Sequence, residues 1–357
     1  MKIAILSFYS GVIKRGVEKW THDIATKLSA NHEVWVLQNA PNLSQTKYNV
    51  YSTNLKISWK VWNFNGTFLR MLYLDYRSLL IGLSTLKSLL FLWKKNFDII
   101  IPTSGGWQPA LVRILTWLKR RKMVIVGHAG KGWDDRNNLW CFPDVFVALS
   151  SYGQEWARKV NPFIKVVNIP DGVDIEKFKP QGERIDINLS KPIILTVGAL
   201  TIPKRIDLII KAVSRLRKGS LLIVGEGEEK ENLVKLGQKK LKDRFLVKSF
   251  GFEEMPAVYR SCDLFTSASL SYLSFEIVLI EAMASGLAVV ANNDLIREEI
   301  VGDAGILINP NNIDSYAKAL RKALRVKWGE KPRNQARNFS WEIIVEKYEK
   351  LFRELLE

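Results

Sequence analysis

The sequence predicts an α/β chain made of two doubly wound parallel-sheet domains in tandem. Three observations carry this. Short, β-branched-rich apolar runs alternate with amphipathic stretches along the chain. The alternation breaks once, at the turn residues Pro170–Asp174 and the polar stretch Phe178–Gly182, and restarts at Ile193. A length of 357 residues suits two domains of ordinary size.

In the first half the strand-like runs are Lys2–Ser7, Glu33–Leu37, Phe97–Ile101, Met123–Val126, Asp144–Leu149 and Ile164–Ile169. In the second they are Ile193–Val197, Ser220–Val224, Asp263–Ser267, Leu287–Ala291 and Gly305–Ile308. Most are apolar at consecutive positions, as strands covered on both faces must be. Helical periodicity lies between them, at Glu18–Ser29, Ile206–Arg217 and Phe275–Ser285. The tail from Ser340 to Glu357 reads as an amphipathic helix, with Ser340 as N-cap and Trp341, Ile344, Val345, Tyr348, Leu351 and Phe352 on its apolar side. We expect domains at 1–180 and 181–340, a linker near 176–190, and a helix over 341–357.

Hydrophobic residues make up 47% and charged residues 25%, which excludes disorder, collagen and a continuous coiled coil. Cys141 and Cys262 stand in unrelated contexts, so neither a disulfide framework nor a metal-binding Cys/His cluster is expected. Met1–Ser7 is too short for a signal sequence, and Arg70, Asp75, Arg77 and Lys87 interrupt the longest apolar stretch, Phe68–Trp93. A cytoplasmic protein is expected, with no membrane-spanning helix. The net charge of +17 is uneven. Residues 1–180 hold 25 basic and 12 acidic side chains, against 28 and 24 in the rest. The first half therefore favours an anionic partner. Its basic residues are scattered and carry no recognition motif, so nucleic acid is not expected.

Ligands of open parallel sheets bind at the carboxyl ends of the strands, so candidate residues should follow strands. Ser10–Glu18, with Gly11, Lys14, Arg15 and Gly16 before a helix, reads as an anion site or as an ordinary turn. Lys204 and Arg205 follow the Ile193–Val197 strand, as phosphate ligands or as a solvated pair. Gly225-Glu226-Gly227 is either a tight turn or a place where a flat ligand meets backbone. Glu281 sits beside small residues in an otherwise apolar helix. It needs either a ligand hydroxyl pair or a cation from a neighbouring helix. His128 follows Met123–Val126 and could donate to a sugar hydroxyl or phosphate oxygen, or be structural. His22 and His32 read as structural.

The second half then resembles the retaining GT-B glycosyltransferases of family four (glycosyl transferases group 1). The segments are ILTVGALTIPKRIDLIIKA, LLIVGEGEEKENL, FGFEEMPAVYRSCDLFTSAS, FEIVLIEAMASGLAVVANN and GDAGILINPNN. The first half matches more loosely through RGVEKWTHDIATKLSANHEVWVL and VVNIPDGVDIEKFKP. The resemblance implies two Rossmann-like doubly wound domains facing a central cleft, with the last helix crossing back to the first domain. It implies sugar transfer from a nucleotide-sugar to a glycan or lipid-linked acceptor, with retention and without a metal or other cofactor. It places Glu281 on the ribose, Lys204 on the donor diphosphate with Gly16, and backbone groups of Phe275 and Glu276 at the donor. Gly225, Gly251 and Phe252 border the base, and His128 lies near the transferred sugar.

Two positions depart from the family. Leu273 stands where the family has a Glu associated with the donor sugar, and Ala199 where it often has Arg. Arg15 or Arg205 could replace the missing cation. A non-catalytic nucleotide-sugar binder and a nucleotide-sugar epimerase are the alternatives. The aromatic and basic segment Trp59–Trp93 suggests peripheral contact with an anionic membrane at its inner, cytoplasmic face.

Overall fold

The computed structural model describes residues 1–12, 16–41, 45–57, 67–270 and 275–357. Arg15, Leu273 and the segment containing Trp59, Lys60, Trp62 and Phe64 lie outside the described residues. The chain forms two compact units, Met1–Asp171 with Glu342–Glu357, and Gly172–Trp341. The first division thus falls before the 180/181 boundary expected from composition. The polar stretch that looked like a linker belongs to the second unit, where Phe178 is buried against Tyr259.

The first unit holds strands β1 (Lys2–Leu6), β2 (Glu33–Gln38), β3 (Asn49–Ser52), β4 (Ile99–Pro102), β5 (Lys122–Val126), β6 (Val145–Ala148) and β7 (Lys165–Asn168). They form one parallel sheet in the order β3-β2-β1-β4-β5-β6-β7. Its helices are α1 (Gly16–Leu28), α2 (Thr67–Met71), α3 (Tyr76–Lys95), α4 (Trp107–Lys119), α5 (Trp133–Trp140) and α6 (Ser151–Val160). The second unit holds β8 (Ile193–Val197), β9 (Ser220–Val224), β10 (Phe245–Lys248), β11 (Leu264–Thr266), β12 (Val289–Asn292) and β13 (Gly305–Ile308), parallel in the order β10-β9-β8-β11-β12-β13. Its helices are α7 (Ile206–Ser214), α8 (Lys230–Leu241), α9 (Met255–Ser261), α10 (Ile277–Ala284), α11 (Leu295–Val301), α12 (Ile313–Ala323) and α13 (Lys331–Arg337).

Buried apolar residues explain the central strands. Ile3, Ala4 and Ile5 of β1, and Leu221, Leu222 and Ile223 of β9, have no exposed surface. Side-chain caps fix several helix starts: Asp75 accepts from Arg77 and Ser78 N–H at α3, Ser150 from Gly153 at α6, and Asp294 from Ile296 and Arg297 at α11. The final helix, α14 (Trp341–Leu356), leaves the second unit at its first residue and packs on the first. Tyr348 and Phe352 are fully buried there, Tyr348 lies 6.2 Å from Trp20, and Lys27 pairs with Glu342 at 3.2 Å.

The first unit has an unusual outer face. On α3 the side chains of Leu79, Leu83, Leu86, Leu90 and Trp93 are exposed at alternating steps of four and three. On α4 Trp107, Ile114, Trp117 and Leu118 are exposed as well. Gly82 abuts Trp107 near the start of both helices, and the Lys119 ammonium lies 4.6 Å from the Trp93 ring near their ends. The two apolar stripes therefore run side by side. Among residues 67–122, acids occur only at Asp75, which is buried as a cap, and Asp98, whereas Arg70, Lys87, Lys94, Lys95 and Arg120 are exposed.

Candidate active site

In the second unit, candidate residues follow β8, β9, β10 and β11, four neighbouring strands whose parallel arrangement puts these loops on one carboxyl edge. The strand order reverses between β8 and β11, the point at which such sheets open a crevice. After β8 the backbone passes Gly198 and makes a single 3₁₀ turn, Ile202–Lys204. Arg205 then adopts left-handed geometry at φ 47°. Its guanidinium reaches back to the loop after β11, donating to the Ala268 carbonyl at 2.6 Å and the Ser269 carbonyl at 3.4 Å. Arg205 is thus a staple between two loops.

Lys204 is also engaged. Its ammonium lies 2.6 Å from Glu276 Oε1. Glu276 precedes α10 as its N-cap residue and is almost entirely buried. Its other oxygen accepts from Ser267 at 3.0 Å and pairs with Arg297 Nη2 at 3.0 Å, and Arg297 has no exposed side-chain surface. Ser269 also donates to Oε1. Burial alone would raise the Glu276 carboxyl, but Lys204 and Arg297 reverse this and hold it well below the usual carboxylate range. The sequence reading gave Glu276 only a backbone role. Its side chain is in addition the centre of the cluster, a role that reading did not include. The signal was a carboxylate in an apolar helix start, nine residues after Ser267.

Phe275 packs toward Phe339 with ring centroids 5.7 Å apart. Helix α10 begins at Ile277, two residues later than the periodicity suggested. Glu281, on the same helix, is buried and accepts a 2.9 Å hydrogen bond from the Tyr259 hydroxyl. Gly225 follows β9 with φ 150°, and its backbone runs directly against the Gly198 carbonyl, where a Cβ would lie 1.9 Å away. Gly251 donates to Glu254 Oε2 at 2.6 Å, and Phe252 beside it is exposed.

In the first unit Gly16 is the first residue of α1, and a Cβ there would meet no described residue within 4 Å. His128 follows β5 and is half-buried, its ring packed edge-on against Trp20 with 4.7 Å between centroids. Its Nε2 is buried and has no hydrogen-bond partner among the described residues. Enclosure of the ring lowers its pKa to about 4, so it is neutral at physiological pH. It borders a cavity of about 280 Å³ lined also by Tyr9, Glu18, Tyr73, Asp134 and Asp135. The Tyr73 hydroxyl donates to Asp134 at 3.0 Å, and burial pushes Asp135 up to about 7. Sequence reading missed these groups. Asp134 and Asp135 open a helix, so they read as ordinary helix-start acids.

The His128 shift predicts a pH dependence. Above pH 6.5 the imidazole is neutral whether folded or unfolded. Between 6.5 and about 4 only the unfolded chain takes the proton, so the stabilisation present above 6.5 is lost as pH falls through that window. The loss is of order 3 kcal/mol by pH 4. His128→Gln should flatten that part of the stability profile in thermal unfolding, whereas an unchanged profile would show that His128 does not carry it.

Residues 178–340 match the family described as "Glycosyl transferases group 1". They are a group 1 glycosyl transferase domain. This domain covers all but the margins of the second unit and contains Lys204, Arg205, Gly225, Gly251, Glu276 and Glu281. A sulfoquinovosyl transferase of Arabidopsis thaliana is 29% identical over 49% of this chain and 37% of its own length. The phosphatidyl-myo-inositol mannosyltransferase of Mycolicibacterium smegmatis is 29% identical over 56% of this chain and 54% of its own. The chain thus spans about half or less of the length of these two relatives. Anabaena HepE, solved in complex with UDP, matches with a TM-score of 0.73 at 18% identity, over 99% of this chain and all of that one. The transferase domain and the unit preceding it together have the GT-B fold.

Proposed function

We propose that the chain transfers a sugar from a nucleotide-sugar to a glycan or lipid-linked acceptor, with retention at the anomeric carbon and no metal ion. The observation that supports this most directly is the gathering of Lys204, Gly225, Gly251 and Glu281 at one carboxyl edge of a sheet within a group 1 glycosyl transferase domain. Glu281 holds the ribose hydroxyls, Lys204 and the N–H groups before α10 take the diphosphate, and Gly225 and Gly251 border the base. During transfer the anomeric carbon–oxygen bond to the diphosphate breaks and its electron pair leaves with the nucleoside diphosphate. The acceptor hydroxyl forms the new bond and passes its proton to the departing diphosphate oxygen. A cation where that charge develops, together with N–H groups held by the backbone, stabilises the transition state. His128 serves as a neutral hydrogen-bond partner for the transferred sugar.

The acceptor is lipid-linked in this reading, and the chain works at the inner face of the cell membrane. The exposed stripes of α3 and α4, flanked by Lys87, Lys94, Lys95 and Arg120, support it. Apolar side chains bury in the headgroup region while each basic residue near an anionic surface adds about 1 kcal/mol. The mycobacterial relative's name also specifies an inositol lipid. No helix among the described residues is long and apolar enough to cross a membrane. Two measurements test the proposal. A panel of nucleotide-sugars should contain one that raises the melting temperature and is consumed in the presence of membrane extract, with or without a chelator. Failure of every donor overturns the enzymatic reading. Leu90→Glu with Trp117→Glu should lower binding to anionic vesicles by roughly tenfold or more without changing the melting temperature. Undiminished binding would sink the membrane reading.

A further inference from the structure

The transferase domain holds an anion of its own where the proposed donor would place one. Lys204, the cation assigned above to the diphosphate, lies 2.6 Å from Glu276. The cluster contains two cations, Lys204 and Arg297, and two carboxylates, Glu276 and Asp294, with Arg297 3.6 Å from Asp294. Its formal charge is therefore zero. Arg205, the other candidate cation, is turned toward backbone carbonyls. A diphosphate arriving at Lys204 therefore meets a cation already matched by a carboxylate, while the Arg205 charge is held toward neutral carbonyls.

The members differ in mobility. Arg297 is fully buried, and Glu276 is fixed by Arg297 and by Ser267 and Ser269 hydroxyls from the loop after β11. The Lys204 side chain keeps 24% of its surface in solvent, against 4% for Glu276. It sits on a flexible four-carbon stem and has three rotatable donors. Lys204 can change partners, whereas Glu276 has to stay to compensate Arg297.

We infer that Glu276 is an internal competitor for Lys204: it occupies the ammonium when the site is empty and yields it to the diphosphate, thereby setting how weakly the nucleotide is held. A carboxylate beside the cation lowers affinity for donor and product alike, so the spent nucleoside diphosphate leaves readily. Glu276 also keeps Lys204 aimed along one direction before the ligand arrives. It is a positioning residue that acts through Lys204. The inference rests on the reading that Lys204 meets the diphosphate, and the test separates the two.

UDP, GDP and ADP are titrated calorimetrically into the full chain and into Glu276→Gln, Lys204→Met and the double variant. Glutamine retains an acceptor for Ser269 and Lys204 but removes the charge. The expected result is about tenfold tighter binding of the preferred nucleotide by Glu276→Gln, a gain of about 1.4 kcal/mol. Lys204→Met should bind more weakly than the parent, and adding Glu276→Gln to Lys204→Met should bring no gain, because the competition needs the ammonium. Loss of binding in Lys204→Met without a gain in Glu276→Gln overturns the competition and leaves the donor reading intact. Binding indifferent to Lys204, or no binding of any nucleotide by the parent, overturns the donor assignment and the competition with it. If Glu276→Gln fails to fold, Glu276→Asp keeps the charge for Arg297 while withdrawing it from Lys204. It should tighten binding in the same direction, and weaker or equal binding overturns the inference.

Discussion

Arg297→Met is expected to destabilise the second unit by about 3–5 kcal/mol, lowering its melting temperature by on the order of 10 °C. The guanidinium has no exposed surface and lies against Glu276 and Asp294. Methionine fills most of the volume, so packing loss is minor. The cost comes from Glu276, which loses one of its two cations while remaining excluded from water. Asp294 loses a partner too, although it still caps α11. Pairing Arg297→Met with Glu276→Met should recover part of the loss, since removing both charges removes the desolvation penalty. Differential scanning calorimetry of the three variants decides this. A single Arg297→Met variant as stable as the parent would show that the cluster contributes nothing to the fold.

The second large effect is expected from Gly225→Ala. The added methyl would lie 1.9 Å from the Gly198 carbonyl oxygen, and the residue's φ of 150° is one that alanine resists. Gly198 cannot retreat freely, because its N–H donates to the Val224 carbonyl at 3.0 Å. We expect a loss above about 4 kcal/mol, read as insoluble or strongly destabilised protein. Gly16→Ala provides the contrast. No described residue comes within 4 Å of a Cβ there, so the variant should fold like the parent. Any fall in turnover there would then come from a blocked ligand. Normal stability of Gly225→Ala would mean the two loops separate more easily than their contact implies.

These contrasts show what the sequence carried and where it stopped. Central strands such as β8 and β9 were legible residue for residue, because burial on both faces demands unbroken apolar runs. Edge strands β3 and β10 were missed. Asn49-Val50-Tyr51-Ser52 and Phe245–Lys248 are only partly buried and need no such run. The candidate residues were found as positions after strands, yet their partners were not. Nothing local in the sequence says that Glu276 should meet Lys204 and Arg297, or that Tyr259 should reach Glu281 from 22 residues away. Tyr73 likewise reaches Asp134 from 61 residues away and shares a cavity with His128. Periodicity reports burial, whereas ion pairs across loops depend on the order of strands.

The return of α14 to the first unit has a consequence for how the molecule is made. During synthesis residues 1–171 leave the ribosome first, but the surface around Trp20 stays uncovered until Tyr348 arrives, after the whole second unit has emerged. The second unit is continuous in the chain and can close as soon as it is translated. The order of completion is thus the reverse of the order of translation. The nascent first unit therefore waits with apolar surface open, and a pause or truncation just after Trp341 should deliver its polypeptide to chaperones while the second unit is already folded.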